Sequence, residues 1–195
     1  MLASNEQLFP IFLKLSDRRV LVVGAGTVAA AKISALVEAG ARVKVVAPEV
    51  SAPVEALNVP IFRRTFHPSD LEDVWLVVAA ASSDINRVVA NEAGRRRVFV
   101  NAVDDPDNAS AYLGGIVRRA GVTFAISTDG RAPALAGLIR EGLDAVLPET
   151  ELESWMHEAD RLRQRWRADK TPMELRRPAL LEALLKRYND QHTDG

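Results

Sequence analysis

The 195-residue sequence contains no cysteine. That absence excludes disulfide scaffolds, thiolate zinc sites, Cys-ligated iron–sulfur clusters and cysteine nucleophiles, and it fits a cytosolic protein. Histidine is scarce, and His67, His157 and His192 are too scattered to suggest a metal motif. An excess of one charge is also missing, since 25 Lys+Arg stand against 26 Asp+Glu for a formal net charge of -1. Without a global basic field, neither nucleic acid nor an anionic membrane is an expected partner. No stretch approaches the roughly 18 apolar residues that span a bilayer. Met1 to Gln7 is polar and acidic rather than a basic segment leading into an apolar run, so the expectation is a soluble, unprocessed, cytoplasmic chain. What is plentiful is apolar character, 48% of residues, enough for one or two compact domains without disulfide or metal staples.

Arg19 to Gly24 is a short, β-branched apolar run that suits a parallel strand covered on both faces. From Thr27 to Ala39 the period becomes helical, with Val28, Ala31, Ala35, Leu36 and Ala39 on one stripe and Gly40 just past the end as a cap. Arg42 to Ala47 completes a βαβ unit with a right-handed crossover. The alternation continues with a short helix near Ser51 to Leu57, a strand at Pro60 to Thr65 and an apolar strand at Val74 to Ala81. A helix capped by Asp84 then runs to about Arg95, and Val98 to Val103 is a fifth strand. The fold class implied is α/β, with an open, Rossmann-like doubly wound parallel sheet.

Beyond Asp104 the texture changes. Tyr112 to Arg118 and Val122 to Ser127 read as a hairpin turning at Ala120-Gly121. A helix follows from Pro133 to about Val146, with Leu135, Ile139, Leu143 and Val146 on one face and Pro148 as its stop. From Glu149 only helices are expected. Leu152, Trp155, Met156, Ala159, Leu162 and Trp166 form one apolar face, on which the tryptophans read as packing residues. Thr171 to Glu174 reads as a capping box, Pro178 interrupts, and Leu180, Leu181, Leu184, Leu185 and Tyr188 form another stripe before a frayed tail from Asn189 to Gly195.

The sharpest motif is Gly24-Ala25-Gly26-Thr27-Val28-Ala29, a G-x-G-x-x-A between a predicted strand and a predicted helix. Its first glycine allows a tight turn, its second lets the backbone approach a pyrophosphate, and the small Ala29 lets helix and sheet pack closely. The competing reading is a bare structural turn. An acidic residue that would contact a ribose hydroxyl arrives late, at Glu49 after Pro48, where it could equally cap the next helix; no arginine beside it offers a 2′-phosphate site, which favours NAD over NADP. Ligands of such sheets lie outside the carboxyl ends of the strands, which singles out Ala80, Ala81, Asn101, Val103 and Asp104. A carboxylate at Asp104 could take a proton during hydride transfer, but Asp-Asp-Pro-Asp-Asn is also good turn chemistry. Ser127-Thr128-Asp129-Gly130 precedes the helix beginning at Pro133, whose free amides could hold an anion with Arg131 and Arg140 adding charge, or which could follow a plain turn. His67 reads as a loop histidine, and no residue is assigned to a metal.

These segments together resemble the precorrin-2 dehydrogenase family, including the dehydrogenase/ferrochelatase part of sirohaem synthases. The matching stretches are LFPIFLKLSDRRVLVVGAGTVAAAK, AGARVKVVAP, LVVAAASSDINRVV, VFVNAVDDP and IVRRAGVTFAISTDGRAPALAGLIREGLDAVLP, spread over residues 8 to 148. The resemblance implies NAD-dependent oxidation of precorrin-2 to sirohydrochlorin, with Asp104 as the catalytic aspartate. It maps cofactor contacts onto Gly24, Gly26, Thr27, Val28, Pro48 and Glu49. Some relatives also insert ferrous iron into sirohydrochlorin, and that second activity stays open. The family forms homodimers through its middle module. Residues 1–112 would then be the NAD-binding domain, 113–148 a dimerisation hairpin and helix, and 149–195 a C-terminal helical domain. The tetrapyrrole's carboxylates would suit Arg118, Arg119, Arg131 or Arg140, near Ser127 and Thr128. Departures lie on the substrate side: Ala111 to Gly115 replaces an aromatic-rich stretch, Asp129 replaces a glycine, and Ala132 replaces a capping hydroxyl residue, at a cost of about 1 kcal/mol. They leave an alternative open, a divergent, non-catalytic NAD- or tetrapyrrole-binding module for sensing or assembly.

Overall fold

The computed structural model describes residues 8–192, excepting the side chains of Pro133 and of residues 188–192. The readings made for Met1 to Gln7, for the side chains of Tyr188 and His192, and for the last three residues fall outside that range. Two compact units divide the chain: residues up to Leu113 with Asp129–Arg131, and Gly114–Thr128 with the chain from Ala132 on.

In the first unit β1 (Arg19–Val23), β2 (Arg42–Val46), β3 (Ile61–Phe62), β4 (Leu76–Ala79) and β5 (Phe99–Ala102) pair in parallel in the order β3-β2-β1-β4-β5. The strand order reverses between β1 and β4, which is where a doubly wound sheet opens a crevice. Residues of alternate parity serve opposite faces. Val20, Val22, Val43, Val45, Leu76 and Val78 pack under α1 (Thr27–Glu38) and α2 (Ala52–Glu55), while Leu21, Val23, Val46, Val77, Ala79, Val100 and Ala102 pack under α3 (Ser83–Arg95). Each fully buried aliphatic side chain, such as Leu21, Ile33 or Leu76, contributes about 2 kcal/mol.

Several local expectations shift. The buried stripe of α1 is Ala29, Ile33 and Leu36, whereas Val28, Ala31 and Ala39 are exposed. Helix phase is set by the glycine turn, which presses Ala29 onto the sheet, and not by the count of apolar residues. The expected cap at Gly40 is made: Gly40 N donates to Val37 O and Ala41 N to Leu36 O, at 2.9 and 3.0 Å. The N-cap of α3 is Ser82, and Asp84 instead pairs with Arg87 within the first turn.

The third strand is only two residues long, and just beyond it Arg64 meets Asp70, a carboxylate 3% exposed. Arg64 donates two hydrogen bonds of 2.7 Å to Asp70, Lys44 Nζ lies 3.2 Å away, and the His67 backbone N–H adds one at 3.0 Å. The imidazole of His67 accepts from Ser69 N, so this residue is a cap and not a plain loop histidine.

The second unit opens with an antiparallel hairpin, β6 (Gly115–Arg119) and β7 (Val122–Ile126). Ala120 and Gly121 both have positive φ, 48° and 79°, the requirement of a tight primed turn. A side chain at Gly114 would stand 1.9 Å from Ile126 O, so the Ala111 to Gly115 departure includes a position that only glycine fits. Three helices follow: α4 (Pro133–Val146), α5 (Glu149–Ala168) and α6 (Met173–His192). Leu152 and Leu162 of α5 are buried, with Trp155 and Trp166 half-buried beside them. Pro178 does not interrupt α6. It removes only the bond to the Glu174 carbonyl on an exposed side, while half-buried Leu180 and Leu184 carry the helix through and Leu181 and Leu185 stay exposed. The expected tail is helical as far as His192.

The Arg64 guanidinium, followed by the His67 backbone N–H and Lys44, holds the Asp70 carboxyl far below the usual carboxylate range. A depressed folded-state pKa adds stability above the unfolded value, about 4, and loses it as pH falls below that. Asp70→Asn is therefore expected to cost about 3 kcal/mol at pH 7 in urea unfolding, with the gap to the parent narrowing below about pH 4.

Candidate functional site

The glycine loop sits at the carboxyl end of β1. Gly24 has φ +100°, and a Cβ there would lie 2.2 Å from Ala80 O, so the turn is pressed directly against the end of β4. Its N–H donates to Val46 O at 2.9 Å, and Ala80 N donates to Val23 O at 2.8 Å, fastening the loop to both neighbouring strands. Gly26 is the N-cap of α1 and makes no side-chain cap; a Cβ there would meet nothing within 4 Å. Open space beside the free amides of a helix start is what a pyrophosphate needs. Thr27 and Val28 are exposed on the first turn, and exposed Pro48 and Glu49 follow β2. Ser51 N donates to Ala25 O at 2.9 Å, joining that second loop to the first.

The ends of β4 and β5 complete the crevice. Buried Asn86, which sequence reading missed, holds Ala81 N through Oδ1 at 3.1 Å and so shapes the Ala80-Ala81 turn. Val103 N donates to Ala79 O at 2.9 Å. Asn101, 6% exposed, donates Nδ2 to Ala111 O at 3.0 Å while its Oδ1 has no partner. The Ser51 hydroxyl is likewise buried and unpartnered. A cradle that only glycine fits, an open helix start, and orphaned polar atoms on Asn101 of β5 and on Ser51 at the start of α2 suit a dinucleotide.

The Asp-Asp pair after β5 divides its labour. Asp105 accepts two bonds from Asn108 Nδ2, at 3.0 and 2.9 Å, and one from Ser83 Oγ at 3.4 Å, so turn chemistry belongs to this residue. Asp104 is exposed, has φ +54°, and makes no side-chain hydrogen bond among the described residues. Its charge instead acts on half-buried Lys32 of α1. Burial pushes the Lys32 ammonium below the ordinary lysine range, and Asp104 opposes that shift. Nothing in the sequence spacing pairs residues 32 and 104.

The substrate-side candidates separate. Arg131 belongs to the first unit, 3.8 Å from Asp129, and Gly130 beside it packs on Pro106 and the Tyr112 ring. Arg118, Arg119, Ser127, Thr128 and Arg140 belong to the second unit. Arg119 is engaged there at the end of α4, with Asp144 at 3.2 Å and the carbonyls of Asp144 and Leu147 at 3.3 Å. Arg140 lies 3.8 Å from Asp144 and 3.6 Å from Glu141, whereas Arg118 is exposed. Ala132 makes no side-chain cap for α4, and its own N–H is taken by Thr128 Oγ1 at 3.2 Å.

A family model described as "Putative NAD(P)-binding" matches residues 11–115. The chain is 39% identical over 184 residues to "Siroheme synthase" of Photorhabdus laumondii, covering 92% of this chain and 39% of that protein. It is 42% identical over 147 residues to "Siroheme synthase" of Neisseria meningitidis, covering 73% and 31% respectively. The chain thus spans about a third of the length of such relatives. Among solved structures, "SirC, precorrin-2 dehydrogenase" superposes with a TM-score of 0.67 at 24% identity, over 90% of this chain and 88% of that one. This likeness shows the shared fold.

The two glycines make opposite predictions. Gly24→Ala is expected to cost about 3 kcal/mol or more in thermal unfolding, because its Cβ meets backbone. Gly26→Ala is expected to stay within about 0.5 kcal/mol of the parent yet weaken NAD binding about tenfold in a fluorescence titration, its methyl standing where phosphate approaches.

Proposed function

We propose, since this chain belongs to the NAD(P)-binding family, that it is a cytoplasmic NAD-dependent dehydrogenase that oxidises precorrin-2 to sirohydrochlorin. The observation that carries the reading is Asp104, exposed at the strand ends beyond the glycine cradle and relieved by Asp105 of any duty in the turn. The siroheme synthase relatives and the fold of the precorrin-2 dehydrogenase support the substrate class.

NAD, held by Gly24, Gly26, Thr27 and Val28 with Pro48 and Glu49 toward the ribose, supplies a hydride acceptor. The oxidation removes one hydride and one proton from the tetrapyrrole, and Asp104 takes the proton. NAD is favoured over NADP because the two arginines after β3 are already paired, Arg63 with Glu55 and Arg64 with Asp70. Arg131 stands 3.8 Å from Asp129 and offsets its carboxylate at that edge. Arg118 and Arg140 are the remaining candidates for the tetrapyrrole carboxylates. Ferrous iron insertion is a second, separable activity of the same proposal.

The middle module is proposed to form a homodimer. Leu135, Leu138, Ile139 and Val146 recur at helical spacing along α4 and are 50%, 65%, 42% and 74% exposed, an unusual loss of apolar burial for a folded chain. Among the described residues no helix is long and apolar enough to cross a membrane.

Anaerobic incubation with precorrin-2 and NAD should yield NADH. Asp104→Ala should retain NAD affinity while kcat falls roughly 100-fold or more; an unaffected variant removes Asp104 from the mechanism. Cobalt insertion into sirohydrochlorin, followed in the same variant, decides whether one site serves both reactions. Leu138→Glu should sediment as a monomer where the parent is a dimer.

A further inference from the structure

Asn101 is buried on β5, and its surroundings fix the direction of its amide. Val100 and Ala102 pack under α3, so Asn101 between them lies on the opposite face, where Val103 packs into the α1 core. One side of β5 pairs with β4, and along its free edge the chain returns. There Ser110 N and Ala111 N donate to Val100 O at 2.9 and 2.8 Å, and Val100 N donates to Ser110 Oγ at 2.9 Å. Asn101 Nδ2 reaches over that edge to Ala111 O at 3.0 Å. A carbonyl only accepts, so the nitrogen of the amide is the atom that meets it, and the two polar atoms of an amide diverge from one carbon. With Nδ2 turned to the outer edge, Oδ1 is turned inward, over the α1 face toward β4, and is buried there without a hydrogen-bond partner. In register Asn101 stands beside Val78, and just beyond Val78 the carbonyl of Ala80 meets the glycine turn. The orphaned oxygen therefore belongs to the floor of the switch-point crevice.

A buried acceptor with nothing to accept costs a fold stability, and such atoms in native proteins ordinarily have a purpose. The other parts of a dinucleotide already have places, the pyrophosphate at Gly26 and the adenosine ribose toward Pro48 and Glu49. The end that remains for β4 and β5 is the nicotinamide, whose carboxamide carries N–H donors. We propose that the side-chain carbonyl of Asn101 accepts a hydrogen bond from that carboxamide, with Ala111 O holding the amide in the accepting sense. The proposal rests on the NAD-dependent reading of the crevice. Because Nδ2 is fastened, the side chain cannot exchange its oxygen for its nitrogen, and the position selects a donor. A carboxamide held at one point also limits rotation of the pyridine ring, so Asn101 would set which ring face meets the substrate.

The test is a fluorescence titration with NAD and with acetylpyridine adenine dinucleotide, in which a methyl group replaces the amide nitrogen and removes its donors. The parent should bind NAD roughly tenfold more tightly than the analogue. Asn101→Leu, close in volume, should bring the two affinities to within about twofold, chiefly by weakening NAD, with thermal unfolding showing that the variant is folded. Asn101→Asp loses the donor to Ala111 but keeps an acceptor, so it should keep the preference. Equal affinities in the parent overturn the proposal without recourse to any variant. A preference that survives in Asn101→Leu overturns it too, and leaves the buried oxygen to an enclosed water. A preference lost equally in both variants assigns the effect to the Ala111 anchor and likewise overturns it. Turnover separates this proposal from the dehydrogenase reading. A parent that oxidises precorrin-2 without distinguishing the nucleotides keeps that reading and loses this one, and a parent that prefers NAD through Asn101 but leaves precorrin-2 unchanged does the reverse.

Discussion

The carbonyl oxygen of Ala80 leaves no room for a side chain at residue 24, and the geometry of the crevice depends on that close approach. Because β1 can turn sharply against the end of β4, α1 starts at the switch point rather than a few residues beyond it. The phase of α1 then follows: Ala29, Ile33 and Leu36 meet the sheet, Gly26 and the first amides open toward a phosphate, and Lys32 is set on the flank. Each consequence is a short rigid step from one backbone contact. The hydrogen bonds of Gly24 to β2 and of Ala80 to β1 secure the same point from both sides.

Much of the sheet was legible in the sequence because parallel strands buried on both faces must be short apolar runs, and β1, β2, β4 and β5 are. The glycine motif could be read for the same reason it works, since its residues are consecutive and its spacing is fixed by backbone geometry. Partnerships across long separations could not be read. Asp70 with Lys44 and Arg119 with Asp144 are joined by topology, and no local period marks them. The α1 stripe was misphased by counting exposed Val28 and Ala31 as core, because alanine-rich helices carry little contrast between faces. Pro178 misled in another way: it was read as an interruption where packing of the surrounding leucines outweighs one lost hydrogen bond.

The near-neutral charge of the chain conceals a pattern. Arg63, Arg64, Arg119 and Lys44 are all matched by acids close by, so they set structure first. Arg119, one of the four arginines offered to a polyanion, closes the end of α4 instead. Ala132 leaves α4 without a side-chain cap, and the nearby Thr128 hydroxyl is already occupied by the N–H of Ala132 itself. Charge and capping potential in a sequence count what is available; the fold decides which groups are already occupied.

The pairing of Asp105 with Asn108 and Ser83, next to an unengaged Asp104, has an evolutionary consequence. One aspartate secures the turn and its neighbour is left exposed, so on the proposed reading folding and chemistry fall to different side chains. Replacement at residue 104 breaks no side-chain hydrogen bond of the turn, and within the few residue types that accept its φ of +54° a lineage can explore new reactivity there. Replacement at residue 105 has no such freedom. Two adjacent residues of the same type are thus under selection for different reasons, and divergence within this fold should run through the first of them.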